Sequence, residues 1–356
     1  MVGTMNVRFP LLAMVIFLGL TSVNWTPGEV GIDPAAANGH GTIMVAVLDE
    51  PVPREKNVLW CATFQMAWDA AANRLGRPLM LEPACQLADA LNRSPFDRKW
   101  VDEDSVFTAE GKVDEGVIAK IDAGVRAKTG RASKLAGRLK QASAPGDLVF
   151  FAMLHKNLEF VKPFGKLGTW ALGGHRVPWF GFTPEQKNTG PLHQQVRVHH
   201  YAANNDFVIE LLSKETGDQL LLAKLPVPPA TPGGLSRSIL QHLQADAPAA
   251  EPNDLLAVPN VVAEETTEFT QLEGRKVSGK MWVLRQALQT IDFRMDETGV
   301  KLDSEAAISF ACSAAVPVRP RLMVLDPPFA VVMKRANAAQ PYFVAWLANA
   351  DLLGGK

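Results

Sequence analysis

Two stretches of alternating residues separated by a glycine constrain this chain more than any other feature. Ile291, Phe293 and Met295 alternate with Asp292, Arg294 and Asp296, the period-two signature of a strand with one buried face. Glu297, Thr298 and Gly299 break the pattern, and it then resumes. Val300, Leu302, Ser304, Ala306, Ile308 and Phe310 fall on one side, with Lys301, Asp303, Glu305, Ala307 and Ser309 on the other. A run of small residues, Ala311 to Ala315, follows, and Pro317 and Pro320 exclude a regular helix or a central strand there. Three further apolar runs are Leu322–Leu325, Phe329–Met333 and Tyr342–Ala348, the last two joined by the polar turn Lys334–Gln340 as a hairpin. The C-terminal third is therefore rich in strands.

Helical periodicity appears earlier. Leu59, Trp60, Phe64, Ala67, Trp68 and Ala71 predict a core-facing helix over Asn57–Ala72. Val113, Val117, Ile121 and Val125 recur every four residues within the charged stretch Ser105–Gln141, which predicts a surface helix with a narrow apolar stripe. Leu148–Leu154 reads as a buried strand after the turn Pro145-Gly146-Asp147. Phe207–Leu212 and Leu220–Pro226 read as a hairpin about Gly217-Asp218, and Leu235–Leu243 as a helix. With 356 residues, 47% hydrophobic, the chain is long enough for a large core. A net charge of −1 leaves no basic excess to displace counterions, which argues against nucleic acid as a partner.

The order and spacing of these features resemble the serpins, the fold of the suicide inhibitors of serine proteases. Asp296-Glu297-Thr298-Gly299 resembles the end of the strand that leads into the family's reactive loop, and Ser304-Glu305-Ala306-Ala307 its small-residue hinge. Pro327-Pro328-Phe329 and Tyr342-Phe343-Val344-Ala345 are similar to the closing hairpin. Asn57-Val58-Leu59-Trp60-Cys61-Ala62 resembles the opening of the first buried helix, with cysteine and alanine where the family has serine and proline. Lys162-Pro163-Phe164, Leu225-Pro226 and Val258-Pro259-Asn260-Val261 match further strand ends, so that the resemblance covers Asn57–Asn349.

The resemblance implies an α+β fold: one domain over residues 42–350, with a large mixed central sheet, smaller flanking sheets and several packed helices. It also implies a reactive loop at about 300–320, a serine protease as partner, and no cofactor or metal. In the family's mechanism the protease cuts the loop and becomes acylated, and the loop then inserts as an extra strand. The implied hinge comprises Glu297, Gly299, Val300, Leu302, Ser304 and Ala306. Counting from Gly299 puts the scissile bond at Ser313-Ala314, which suits an elastase-like enzyme; counting back from Phe329 puts it at Pro317-Val318. Serpins line the point where the sheet opens with two serines, an asparagine and a histidine; by position these become Cys61, Phe64, Ala152 and Gln289. Val300, Leu302 and Ile308 are bulkier than good inhibitors use, and overfilling a packed layer costs about 1–3 kcal/mol per site. Two functions follow: an inhibitor acting by loop insertion, or a non-inhibitory binding or structural protein of the same fold.

Residues 1–26 read as an export segment, Arg8 preceding an apolar run from Phe9 to Leu20. A cleaved signal peptide, giving a secreted or periplasmic protein, is the first expectation, an uncleaved membrane anchor the second, and a buried helix the third. Residues 27–41 read as a flexible leader. Cys61, Cys85 and Cys312 do not make a disulfide framework; the first two read as buried and Cys312 as a loop residue. Enzyme motifs are missing. Neighbouring His199 and His200 would point to opposite faces of a strand, as would Asp296 and Glu297, so neither pair suits a metal site or a general-acid dyad.

Overall fold

The computed structural model of the chain describes residues 41–186, 188–300 and 320–354. Its first elements correct the expectation from sequence. β1 (Thr42–Met44) runs parallel to β2 (Asn57–Cys61), and all five side chains of β2 are buried. The helix expected over Asn57–Ala72 starts only at Thr63, as α1 (Thr63–Leu75). An apolar run buried throughout carries no period of its own, so pairing with a distant strand overrides its helix-like spacing. β3 (Leu81–Glu82) and α2 (Gln86–Arg93) follow.

The single surface helix expected over Ser105–Gln141 is also corrected. It is a strand, β4 (Val106–Lys112), and two helices, α3 (Val117–Thr129) and α4 (Lys134–Ala142). Val117, Ile121 and Val125 form the buried stripe on α3 as read, while Val113 lies in the turn before it. The Ser133 hydroxyl accepts the Ala136 N–H at 3.1 Å, which caps α4 and explains why a second helix begins there.

The chain then forms β5 (Leu148–Leu154), β6 (Leu158–Glu159), β7 (Gly165–Leu172), β8 (His175–Phe182) and a short helix, α5 (Gly190–His193). The expected hairpin is present within β9 (Val196–Ala203), β10 (Asp206–Leu211) and β11 (Asp218–Lys224), and the expected helix after it is α6 (Pro232–Leu240). The remaining strands are β12 (Leu255–Pro259), β13 (Val261–Glu268), β14 (Lys276–Val277), β15 (Leu288–Met295), β16 (Gly299–Val300), β17 (Leu322–Val324), β18 (Phe329–Arg335) and β19 (Phe343–Leu347).

Among the described residues the largest sheet has seven strands in the order β1-β2-β19-β18-β11-β10-β9. It is mixed, because β1 is parallel to β2 while its other pairs are antiparallel. A four-stranded sheet has the order β17-β12-β8-β7, and β13–β15, β4–β5, β16–β6 and β14–β3 pair two by two. The fold is α+β, with a large mixed sheet, smaller sheets and packed helices. β15 shows the alternation read from sequence: Gln289, Ile291, Phe293 and Met295 are buried. It pairs along its whole length with β13, from Val261↔Met295 to Glu268↔Leu288.

Two contacts over long sequence separations hold the frame. Asn57 Nδ2 donates to Asn349 Oδ1 at 2.7 Å, and Asn349 N–H donates back to Asn57 Oδ1 at 3.1 Å, both side chains being fully buried. Gly181 on β8, with φ +145°, lies so close to β12 that a Cβ there would overlap the Leu256 carbonyl oxygen. We predict that Gly181→Ala lowers stability by about 3 kcal/mol or more, through this overlap with backbone and the left-handed φ. Urea unfolding checks this, and an unchanged midpoint would contradict the packing described.

Candidate functional site: a cleft between two strand edges

Among the described residues β5 pairs only with β4, and β15 only with β13. No strand among the described residues joins β5 to β15. Between their facing edges lies a cleft of about 760 Å³. Leu148 to Leu154 line one edge and Leu288 to Arg294 the other, with α1 contributing Phe64 and Trp68 and α4 contributing Leu135 and Leu139. Ion pairs reach around the opening: Lys134 on α4 meets Asp292 on β15 at 2.9 Å, and Arg285 meets Asp147 at 3.0 Å.

Cys61, Phe64, Ala152 and Gln289, far apart in sequence, all line this one cleft. Cys61 ends β2 and Phe64 lies in the first turn of α1, while Ala152 and Gln289 sit on the facing strands. Gln289 is buried, and its Nε2 donates to Cys61 O and Thr63 Oγ1, each at 3.0 Å. Its Oε1 has no hydrogen-bond partner among the described residues. Burial pushes the Cys61 thiol above its ordinary range and keeps it protonated. Cys85, at the N-cap of α2, is also buried, and neither cysteine is in a disulfide.

At one end of the cleft the chain reverses. Asp296 and Gly299 pair across a tight turn, Asp296 N–H donating to Gly299 O at 3.0 Å. Asp296 Oδ1 braces the turn by accepting from Thr298 N at 2.8 Å and Thr298 Oγ1 at 2.6 Å. Glu297 turns away to pair with Lys166 at 3.0 Å, so the two adjacent carboxylates have separate partners. β16 then runs antiparallel to β6, with Gly299↔Glu159 and Val300↔Leu158 in register. Gly299 has φ +150°, and a Cβ there would overlap Leu158 O and approach Glu159 Cα to 2.9 Å, so only glycine fits. Val300 is buried and lines the cleft. Of the hinge residues read from sequence, Glu297, Gly299 and Val300 are thus brought to the cleft end. Leu302, Ser304 and Ala306, both candidate scissile pairs (Ser313-Ala314 and Pro317-Val318), Cys312 and residues 1–40 lie outside the described residues.

The partners of several polar groups, at the cleft and beyond it, escaped the sequence reading, because they are distant in the chain. Lys156 meets Asp218 at 2.7 Å beside the buried ring of Tyr342. Burial, and then the Asp218 carboxylate, push the Tyr342 phenol well above its ordinary range. Arg321, which precedes β17, donates from Nε and Nη2 to the buried carboxylate of Asp254 at 2.6–3.1 Å. His199 meets Glu210 at 3.0 Å and His200 meets Asp206 at 3.2 Å, two separate partners, as the strand geometry predicts. No group of three or more metal-ligating side chains occurs among the described residues, and no helix there is long and apolar enough to cross a membrane.

No protein-family model matches the sequence, and no curated protein matches it. Among solved structures the chain is similar to Tengpin, a thermophilic serpin in its native state, at 12% identity over 83% of this chain and 89% of that one, with a TM-score of 0.51. It is also similar to Serpin48 of the insect Tenebrio molitor, at 13% identity over 81% and 90% of the two chains, with a TM-score of 0.45. A third similar structure is thyroxine-binding globulin in complex with thyroxine, at 13% identity over 83% and 93%, with a TM-score of 0.49. At these identities the likeness concerns the fold alone. The chain has the serpin fold, at very low sequence similarity to its structural relatives.

Three histidines make this fold acid-sensitive. Burial first holds His193, His155 and His242 each below the ordinary value of 6.5. The unfolded chain therefore binds protons before the folded one does. Stability is fully present above pH 6.5 and falls as pH drops below it, through the lowered folded values. Melting temperature should fall between pH 7.5 and about 5.5, and His193→Gln should flatten the slope. A flat profile for the unaltered chain would contradict the burial described.

Proposed function

We propose that the protein is an exported serine-protease inhibitor, not a catalyst, that acts by inserting its cleaved loop into the cleft between β5 and β15. The carrying observation is β16. It follows β15 by a tight turn, pairs with β6 on the other side, and ends at Val300 beside two strand edges that, among the described residues, are each bonded on one side only. Continuing that register, Ser304 would lie between Leu154 and Ile291, and Ala306, a small residue, between Ala152 and Gln289. A strand there satisfies both edges at once, as strand addition does in peptide recognition. The resemblance and the run of small residues support an elastase-like target cutting at Ser313-Ala314 or, second, Pro317-Val318. The apolar segment in residues 1–26 supports export, with membrane contact only where that segment is retained.

A second reading, a non-inhibitory binding or structural protein of the same fold, has its own support. The inward side would carry Leu302 beside Phe293 and Ile308 beside Phe150, bulk that costs about 1–3 kcal/mol per site. Phe64 and Cys61 also make the opening point apolar, with only Gln289 polar among its four residues.

Limited proteolysis with an elastase separates the two. Insertion predicts a covalent, denaturant-resistant complex with the protease, and a nicked product whose melting temperature rises by more than about 10 °C. Cleavage with no complex and no rise would overturn the inhibitor reading and favour the second.

A further inference from the structure

We infer that the cleft between β5 and β15 is also a binding site for a neutral, planar apolar small molecule that carries one hydrogen-bond donor, a hydroxyl or an N–H. The inference goes beyond protease inhibition and does not rest on it, because it concerns the uncut chain. Three observations lead to it. The cleft volume of about 760 Å³ is within the range of small-molecule sites. Its apolar lining is aromatic, with Phe64, Trp68, Phe151, Phe293 and Phe343, which favours a flat ligand. The third observation sets the polar chemistry beside Cys61 and Thr63; elsewhere in the lining Asn157, Gln286, Arg294 and Tyr342 also carry a buried polar atom without a hydrogen-bond partner among the described residues. Gln289 is 3% exposed, and both hydrogen bonds of its amide nitrogen are taken by Cys61 O and Thr63 Oγ1. These bonds hold the amide in one orientation, and Oε1 remains a buried acceptor without a partner among the described residues. A ligand donor answers it, whereas a ligand acceptor would face an acceptor.

The charge balance selects a neutral ligand. Five lysines and arginines line the cleft, and none is free: Lys134 pairs with Asp292, Lys156 with Asp218, Arg285 with Asp147 and Arg294 with Glu264, and Arg131 is engaged as well. An anionic ligand would have to break one of these pairs, and a cationic one would find its carboxylate already engaged. A molecule bound at Gln289 lies between the two facing edges, beside Ala152, so it occupies space that any added strand would need.

The test uses two probes that differ only in the donor, 1-naphthol and 1-methoxynaphthalene, titrated by fluorescence against the full uncut chain. One saturable site is expected, with 1-naphthol bound about tenfold more tightly than its methyl ether. In Gln289→Met the two probes should bind alike, a comparison that holds even where the variant weakens both. Ala152→Leu, which fills the cleft, should weaken both probes. Equal affinities for the unaltered chain, no saturable binding, or a naphthol preference that survives Gln289→Met would each overturn the site. Loop insertion is read separately, from the melt of the nicked chain.

Discussion

The facing edges of β5 and β15, which no strand among the described residues joins, are the constraint on which the rest of this structure depends. Backbone N–H and C=O groups removed from water require partners, and an open edge is a template for another strand. Among the described residues each of the two strands has a neighbour on its outer side only, β4 for β5 and β13 for β15. Helix α1 and helix α4 line the space between them, and β2 brings Cys61 to its wall. The visible ties around the opening are ion pairs such as Lys134–Asp292 and Arg285–Asp147, whose basic partners are more than half exposed. Exposed pairs of this kind contribute little, about 0–1 kcal/mol each. Packing against the helices, more than charge, therefore holds the two halves in place.

Opposing magnitudes of similar size govern the filling of the gap. A strand of about seven residues between two edges would form on the order of ten backbone hydrogen bonds, each worth about 0.5–1.5 kcal/mol net. Ordering those residues costs about 1–2 kcal/mol each, and bulky inward residues about 1–3 kcal/mol at each of two positions. β16 shows how the chain starts in that direction: Gly299 lets its backbone close on Leu158, and Val300 follows as a buried residue at the cleft end. Beyond the gap, the Arg321–Asp254 pair seats the chain beside β12. The two ends of the stretch between Val300 and Arg321 are thus held by different sheets.

Much of this was legible in sequence where local period matches local structure. The alternation Ile291-Phe293-Met295 is the buried side of β15, and the hairpins β10–β11 and β18–β19 fall where apolar runs flank turn residues. Position along the serpin pattern also brought Cys61, Phe64, Ala152 and Gln289 to one cleft. Period failed where burial is not one-sided. Asn57–Cys61 is buried throughout and reads as helix until its pairing with β19 is known. Val113 continues the spacing of Val117 and Ile121 but belongs to a turn, and Ser133 inserts a cap into what reads as one helix. The cleft itself has no local signature, because a missing pair between strands is a property of two segments far apart in the chain. Nor do the partners Lys166, Asp218 and Asp254, each identified only by the distant residue it meets.

Amide hydrogen exchange of the uncut chain, read residue by residue over β5 and β15, tests the central claim most directly. The alternate amides that point into the cleft should exchange markedly faster than those bonded to β4 and β13, and should slow once the loop is cut. Equal, strong protection of both sets in the uncut chain would mean that the two edges are already paired, and would contradict the account.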